Sequence, residues 1–333
     1  MRMFLHAGTH KTGTTSVQRV LATHRGWLRE HGIVYPNSAP FLGGSHEAHL
    51  RVAHALTGTD PAAVAAAGEF LDQLAGDLVD DEAALLSAEP LWRHIHGTRS
   101  TWPADVDYWT RRRAYLDAVA AALHRWDITV LVTLREPASL AASLYLEAVL
   151  AGTCDTDFDG FLDDRAPFFD PSAQIAAVEE HLGPVCVDHH GPDAVARFHQ
   201  RLGVPEPPAL AGAPRLRTAV DPRLVEWVRR QPPAGRATQR AFASSRAARW
   251  ALDGGPPGGP WRSEAHREAF RRRYGGHHGR ARSHAPVRSR RRRRCSRRSP
   301  SASTTVTPPG AWPSGRGGPS GGVSGAEQHN PHK

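Results

Sequence analysis

The sequence is nearly free of lysine. Of its 42 basic Lys and Arg residues only Lys11 and Lys333 are lysine. Cysteine is scarce too. Cys154, Cys186 and Cys295 lie far apart, which excludes a disulfide framework and the close spacing of a thiolate metal site. No apolar run is long enough to span a bilayer. The apolar stretch at the N-terminus is too short for a signal peptide and runs straight into a glycine loop. A reducing, cytoplasmic setting is the expectation. Internal repeats are absent, and so is the dinucleotide fingerprint G-x-G-x-x-G.

The charge is unevenly placed. The 333 residues carry a formal +9, but residues 271–333 hold 15 of the basic residues and a single acid, Glu327. The body is therefore mildly acidic, and the basic balance belongs to the tail. From about 275 the chain is Gly, Pro, Ser, Arg and His with almost no aliphatic side chains. Such a segment buries too little apolar surface to repay ordering. The expected organisation is one α/β domain over 1–274 and a disordered basic tail over 275–333. The run RSRRRRRCSRR at 288–298 has no fold or aromatic platform beside it, so no specific nucleic-acid partner is expected. The oligomeric state is not legible.

What is present is an alternation. Residues 2–7 read as a short buried strand. Helical spacing runs from Thr14 through Val17, Val20, Leu21, His24 and Leu28 to a C-cap at Gly32, followed by a short strand at 33–35. Residues 37–46 read as a loop, 46–57 and 61–79 as helices, and 83–89 as a strand ending in an acid. Residues 105–126 are helical. ITVLVTLR at 128–135 is a β-branched run without alternation, as expected of a strand covered on both faces. Pro137 suits the first turn of a helix over 138–150. A helix at 172–182, a strand at 184–189, a helix at 193–202, and helical pieces around 221–230, 239–252 and 261–274 complete the pattern. Strands alternating with helices predict a parallel, P-loop-like sheet flanked by helices.

Two stretches carry chemistry. The first, MRMFLHAGTHKTGTTSVQ, is a strand, a Gly/Thr loop holding the body's one lysine, and a helix. That arrangement aims backbone N–H groups and a helix dipole at one point and makes an anion site. The Walker A pattern almost fits from Gly8 to Gly13, but Thr14 stands where lysine belongs, and no Walker B acid is evident after a strand. The second stretch is LVTLREPASLAASLYLE, which ends a strand on Arg135 and places Ser143 in the next helix. Ligands of open α/β sheets bind at the carboxyl ends of strands. An Arg and a hydroxyl there suit a second phosphate.

HAGTHKTGTTSVQ resembles the 5′-phosphosulfate loop of sulfotransferases that use 3′-phosphoadenosine 5′-phosphosulfate (PAPS), closest to the bacterial carbohydrate-type members. LREPASLAASLYLE resembles the same family's 3′-phosphate motif. The resemblance covers residues 1 to about 203, and more loosely to about 274. It implies a PAPS-dependent sulfotransferase that needs no metal and has a glycan or other small-molecule acceptor. It implies Lys11, Thr12, Gly13, Thr14 and Thr15 around the 5′-phosphosulfate, with Arg135 and Ser143 on the 3′-phosphate; His10, inside the loop, is expected to contact cofactor or backbone rather than act as base. Lys11 would meet charge on the bridging oxygen. Glu89 is the first candidate for the base, at the strand end where the family often has an acid, and His46 is the second. Glu47 and His49 are no better supported. Trp92, Trp102 and Trp109 fall where an acceptor would be overhung, although core packing is the commoner use of such residues. Family members continue past an Arg-Tyr like Arg273-Tyr274 with an acidic-Asn helix. GGHHGRARSH follows here, an abrupt change that suits a shifted reading frame. Two other functions stay open: a small-molecule kinase using ATP through a variant loop, and a PAPS-binding protein without turnover.

Overall fold

Five short strands run parallel in the order β2-β3-β1-β4-β5. They are β1 (Arg2–His6), β2 (Ile33–Val34), β3 (Ala83–Ser87), β4 (Asp127–Leu134) and β5 (Val185–His189). This computed structural model describes residues 1–9, 14–98, 107–191, 193–207, 222–230 and 260–275. The expected disordered tail and the helical piece at 239–252 fall outside the described residues. Strand β1 sits in the middle, with Phe4 opposite Leu85 of β3 and Thr129 of β4. The chain leaves β1 toward β2 on one side and later crosses from β3 to β4 on the other, so the carboxyl ends of β1 and β3 flank the switch of direction where open α/β sheets bind ligands.

Both faces of the sheet are covered. Met3, Leu5, Ala84, Leu86, Val130 and Val132 meet α4 (Leu50–Ala55), α5 (Pro61–Asp77), α6 (Tyr108–Ala122) and α9 (Pro171–Leu182). On the other face Phe4, Leu85 and Leu131 meet α1 (Thr14–Thr23), α2 (Arg25–Glu30) and α10 (Ala194–Leu202). The alternation within β1 is the strand's two-residue period sorting side chains between two cores. Truncating a side chain as buried as Leu85 to alanine costs about 2–5 kcal/mol. A separate aromatic cluster joins α7 (Pro137–Ala151), α8 (Phe158–Asp164), α11 (Pro222–Arg229) and α12 (Glu264–Tyr274) around Tyr145, Phe158, Phe161, Phe169 and Phe270.

Three sequence expectations need correction. The helix expected from Thr14 to Gly32 is two helices broken at His24. Thr23 Oγ1 donates back to the Arg19 carbonyl at 2.9 Å, a bond that bends helices, and Gly26 follows close behind. The loop expected over 37–46 contains the one-turn helix α3 (Ala39–Leu42), entered through Asn37 Oδ1 accepting from the Ala39 amide at 3.1 Å. The helix expected over 46–57 is confined to α4, because Glu47–His49 take other hydrogen bonds. Helix α8 and the 3₁₀ turn at Ala166–Phe169 were not legible. Among the described residues no helix is long and apolar enough to cross a membrane.

Candidate functional site

The carboxyl ends of β1, β3 and β4 converge. Past β1 the chain stays paired to β4: the Thr9 amide and hydroxyl both donate to the Thr133 carbonyl, at 3.1 and 2.9 Å. His10, Lys11, Thr12 and Gly13 lie outside the described residues, so the center of the expected anion loop is not described. Its far side is. Thr14 opens α1 and is only 4% exposed.

Thr14 Oγ1 donates to Glu89 Oε2 at 2.5 Å. Glu89 opens a 3₁₀ turn, Glu89–Trp92, directly beyond β3. Ala88 holds that exit in place by donating its amide to the His6 carbonyl at 3.0 Å. Two sites predicted from separate stretches, the anion loop and the base candidate, are thus joined by one hydrogen bond. Thr15 is half-buried on α1.

Behind this pair lies a buried polar chain. His6 Nδ1 and Ser87 Oγ share a bond of 2.8 Å. Gln18 Nε2 donates to Ser87 Oγ at 3.2 Å. The Ser87 amide donates to His49 Nδ1 at 2.9 Å, so His49 is neutral and its Nε2 proton goes to the Pro36 carbonyl at 2.9 Å. Burial lowers both His6 and His49 from 6.5 to about 4; the charge on Glu89 pulls His6 the other way, less strongly. His49 therefore braces the fold and has no ring nitrogen left for a substrate. Gln18, the last residue of the GTTSVQ stretch, is a contributor that sequence reasoning passed over. Its place one turn beyond Thr14, at i+4, was the available signal.

Arg93 ends the 3₁₀ turn, buried at 7% exposure. Burial lowers its pKa to about 10, opposed by the charges of Glu89 and Glu147, so it remains a cation near neutrality. A positive charge therefore supports the Glu89 carboxylate from behind. Trp92 packs in the core, and Trp109 packs against it. Trp102 lies outside the described residues.

At the end of β4, Arg135 is half-buried and its Nε donates to Ser139 Oγ at 2.9 Å. Burial lowers its pKa, while Glu136 opposes the shift. Ser139 is thus a contact of Arg135 at i+4, and Ser143, expected beside Arg135 at a 3′-phosphate, is half-buried one further turn along α7. The spacing within REPAS was the missed signal. Glu136 caps α7, accepting from the Ala138 and Ser139 amides at 3.0 and 2.8 Å, and it also accepts from Arg271 Nε of α12 at 3.0 Å. Burial would raise its pKa, but these donors hold it below the ordinary range.

His46, the second base candidate, is exposed in the loop before α4, and its carbonyl accepts from Arg25. Glu47 lies beside Arg19 at 3.6 Å. Of the base candidates, Glu89 is the one joined by a hydrogen bond to the described part of the loop. Among the described residues no group of three or more His, Cys, Asp or Glu side chains is arranged to hold a metal.

No family model matches the chain, and no curated protein matches it significantly. A solved structure of a sulfotransferase from Alicyclobacillus acidocaldarius aligns over 75% of this chain and 99% of its own, at 16% identity and a TM-score of 0.36. Likeness at that level says nothing of individual residues.

Proposed function

We propose that this protein is a PAPS-dependent sulfotransferase that transfers a sulfuryl group to a hydroxyl or amine of a carbohydrate or other small molecule. The observation that carries the reading is the bond from Thr14, on the anion loop, to Glu89, beyond the neighboring strand. It puts a carboxylate beside the place where an anion would be held. The residues fit such a donor: a helix N-terminus at Thr14 for one anionic group, and the Arg135 cation, held by Ser139, for another. PAPS would supply a sulfuryl group on a phosphate leaving group.

This chain's residues would do the rest. Backbone N–H groups at the start of α1 and the hydroxyls of Thr12, Thr14 and Thr15 hold the 5′ end. Gly13 lets the backbone approach closely, and His10 borders the loop. Arg135 takes the 3′-phosphate, with Ser143 in reach of the same face of α7. Lys11 meets charge developing on the bridging oxygen. Glu89 takes the acceptor's proton. A cytoplasmic location fits a donor of this kind.

A second reading has one observation in its favor. P-loop kinases hold Mg²⁺ between the loop's Ser/Thr and an acid beyond a strand. The sequence shows no obvious acid in that role, yet Glu89 lies two residues past β3 and against Thr14. Calorimetric titration separates the two. Binding of 3′,5′-adenosine bisphosphate (PAP) without Mg²⁺, with ATP at least tenfold weaker, supports the sulfotransferase reading. Preference for Mg·ATP overturns it. A sulfate-transfer assay over a panel of glycans then separates enzyme from binder.

A further inference from the structure

Glu136 joins two parts of the chain that are 135 residues apart. Its Oε1 accepts from the Ala138 amide and from Arg271 Nε of α12, both at 3.0 Å. Its Oε2 accepts from the Ser139 amide at 2.8 Å. One carboxylate thus fixes the first turn of α7 and is itself fixed from outside that helix. Arg271 is held for this task. Its side chain is 31% exposed, and Nη1 donates to Glu264 at 3.0 Å and to Glu268 at 3.3 Å on its own helix. Beside it Phe270 is buried against Phe169 and Trp261, so α12 is seated by packing that does not involve Arg271. In the same first turn of α7, Ser139 Oγ takes the bond from Arg135 Nε at 2.9 Å. Arg271 and Arg135 therefore meet one turn of backbone from two sides.

We propose that Arg271 is a positioning residue: by holding Glu136 on the α7 cap it steadies Ser139, and through Ser139 it aims the Arg135 guanidinium. Two effects act together. The first is geometric. Without Arg271, Glu136 Oε1 keeps only the Ala138 amide, so the carboxylate turns more freely and the Ser139 end of the cap loosens with it. The second is charge. Glu136 adjoins Arg135 and acts on it electrostatically. Arg271 offsets that negative charge, and its loss leaves Arg135 beside a less compensated carboxylate. Ser139 is one contact of Arg135, so the loosening is partial and the effects are modest. That Arg135 meets a 3′-phosphate rests on the functional reading above; that Arg271 positions Arg135 does not. The inference makes α12 part of the framework of the site.

The test reads Arg135 itself, in the full chain and without ligand. The initial rate of phenylglyoxal labeling at Arg135 is followed by peptide mass spectrometry at low total modification. Arg271→Ala should raise that rate at least ~2-fold. Arg197, whose Nε donates to both oxygens of Asp188 in β5, should label as in the parent protein. Arg271→Gln keeps most of the stem and loses the charge, so it should match the alanine variant. Arg271→Lys keeps a cation at Glu136 and should recover roughly half or more of the difference. Ser139→Ala should also speed labeling, and Arg271→Ala added to it should act by a smaller factor than in the parent. An unchanged rate at Arg135, an equal rise at Arg197, or an undiminished effect in the Ser139→Ala background overturns the proposal. Titration then tests the use of this positioning. Arg271→Ala should weaken PAP ~3-fold and leave adenosine 5′-phosphate unaffected. In an Arg135→Ala background it should cost PAP nothing further. A loss that persists there means that Arg271 meets the nucleotide directly, and it overturns the positioning role. If the parent protein does not bind PAP, the functional reading fails, and the labeling rates alone decide the positioning.

Discussion

Two buried polar networks stand on either side of Arg93, and they differ in how they end. The first runs from His49 through Ser87 to His6 and Gln18, and its neighbors Thr14 and Glu89 reach the sheet edge. The second lies between α6 and α9. There Arg112, fully buried, donates Nε to Gln174 Oε1 at 3.1 Å and Nη1 to the His94 carbonyl at 2.9 Å, while Gln174 Nε2 donates to Tyr108 Oη at 2.6 Å. Arg93 acts electrostatically on Glu89 in one and Tyr108 in the other. Both are polar, buried and hydrogen-bonded, so burial of polar groups does not by itself mark a site. The first network terminates in a half-exposed carboxylate beside a glycine loop. Among the described residues the second closes among Arg112, Gln174, Tyr108 and the His94 and Pro167 carbonyls, with Arg112 Nη2 buried and unpaired.

The comparison predicts first that acid acts through one network and leaves the other alone. His6 and His49 are held neutral, their folded-state pKa lowered from 6.5 to about 4. Below about pH 6.5 the unfolded chain takes up protons that the native state refuses until about pH 4. Stability is therefore full above pH 6.5 and falls as pH drops toward 4, by at most about 3 kcal/mol per histidine. Urea unfolding at pH 7.5 and 4.5 measures the drop. His49→Asn keeps an acceptor for the Ser87 amide and does not titrate, so it should remove about half of the difference. A profile unchanged by that substitution would mean the acid sensitivity lies elsewhere.

Arg112→Ala comes next in size. It leaves Gln174 and the His94 carbonyl without their donor and opens a cavity, at a cost of about 3–5 kcal/mol. The closed network makes a sharper claim as well. Any Arg112→Ala protein that folds at low temperature should bind PAP within twofold of the parent. A tenfold loss of affinity in folded protein would break the division between the two networks.

Much of this was legible in the sequence, and the gaps have physical causes. β4 read correctly because a strand covered on both faces needs an unbroken apolar run. Helix α7 read correctly because Pro137 follows Glu136, a side chain that caps the first turn. The loop and Glu89 were both singled out, but a hydrogen bond across 75 residues has no local signature. Arg112 was illegible for the same reason. In YWTRRRAYL it reads as one of three solvent-facing arginines, and only Gln174, 62 residues on, makes its burial tolerable. GGSHEAHL read as a polar loop with several candidate bases, whereas packing against Tyr35 and Phe70 takes His49 inside and leaves His46 out.

In the loop that the open network borders in sequence, Lys11→Ala should cost turnover more than binding. In the proposed function backbone N–H groups at the start of α1 would hold a ground-state anion without the lysine. In the proposed reaction its separate task would be charge that appears only as the bond breaks. The expected loss is ~10²-fold in kcat, about 2.7 kcal/mol, with PAP affinity kept within roughly tenfold. Lys11→Arg should also be impaired, because a planar fork does not take the place of a compact ammonium in a tight loop. Full transfer by Lys11→Ala would remove the lysine from the mechanism.

The smallest effect tests the neighboring end of β4. Arg135 is held through Ser139, and Glu136 is already committed to the α7 cap and to Arg271. The proposed function puts a 3′-phosphate beside Arg135. Arg135→Ala should weaken PAP by ~10-fold, the value of one charge-assisted contact, and should leave adenosine 5′-phosphate nearly unaffected. Ser139→Ala keeps the charge and loses only its anchor, so it should cost ~2–4-fold, less than the arginine itself. Ser143→Ala distinguishes the resemblance from the geometry. If Ser143 meets the phosphate directly, its loss should also be selective for the 3′-phosphate and should add to that of Ser139→Ala. If Ser139→Ala alone shows the selectivity, the hydroxyl at this edge is the one that orients Arg135. Equal losses of both nucleotides in Arg135→Ala would mean that the arginine serves the fold.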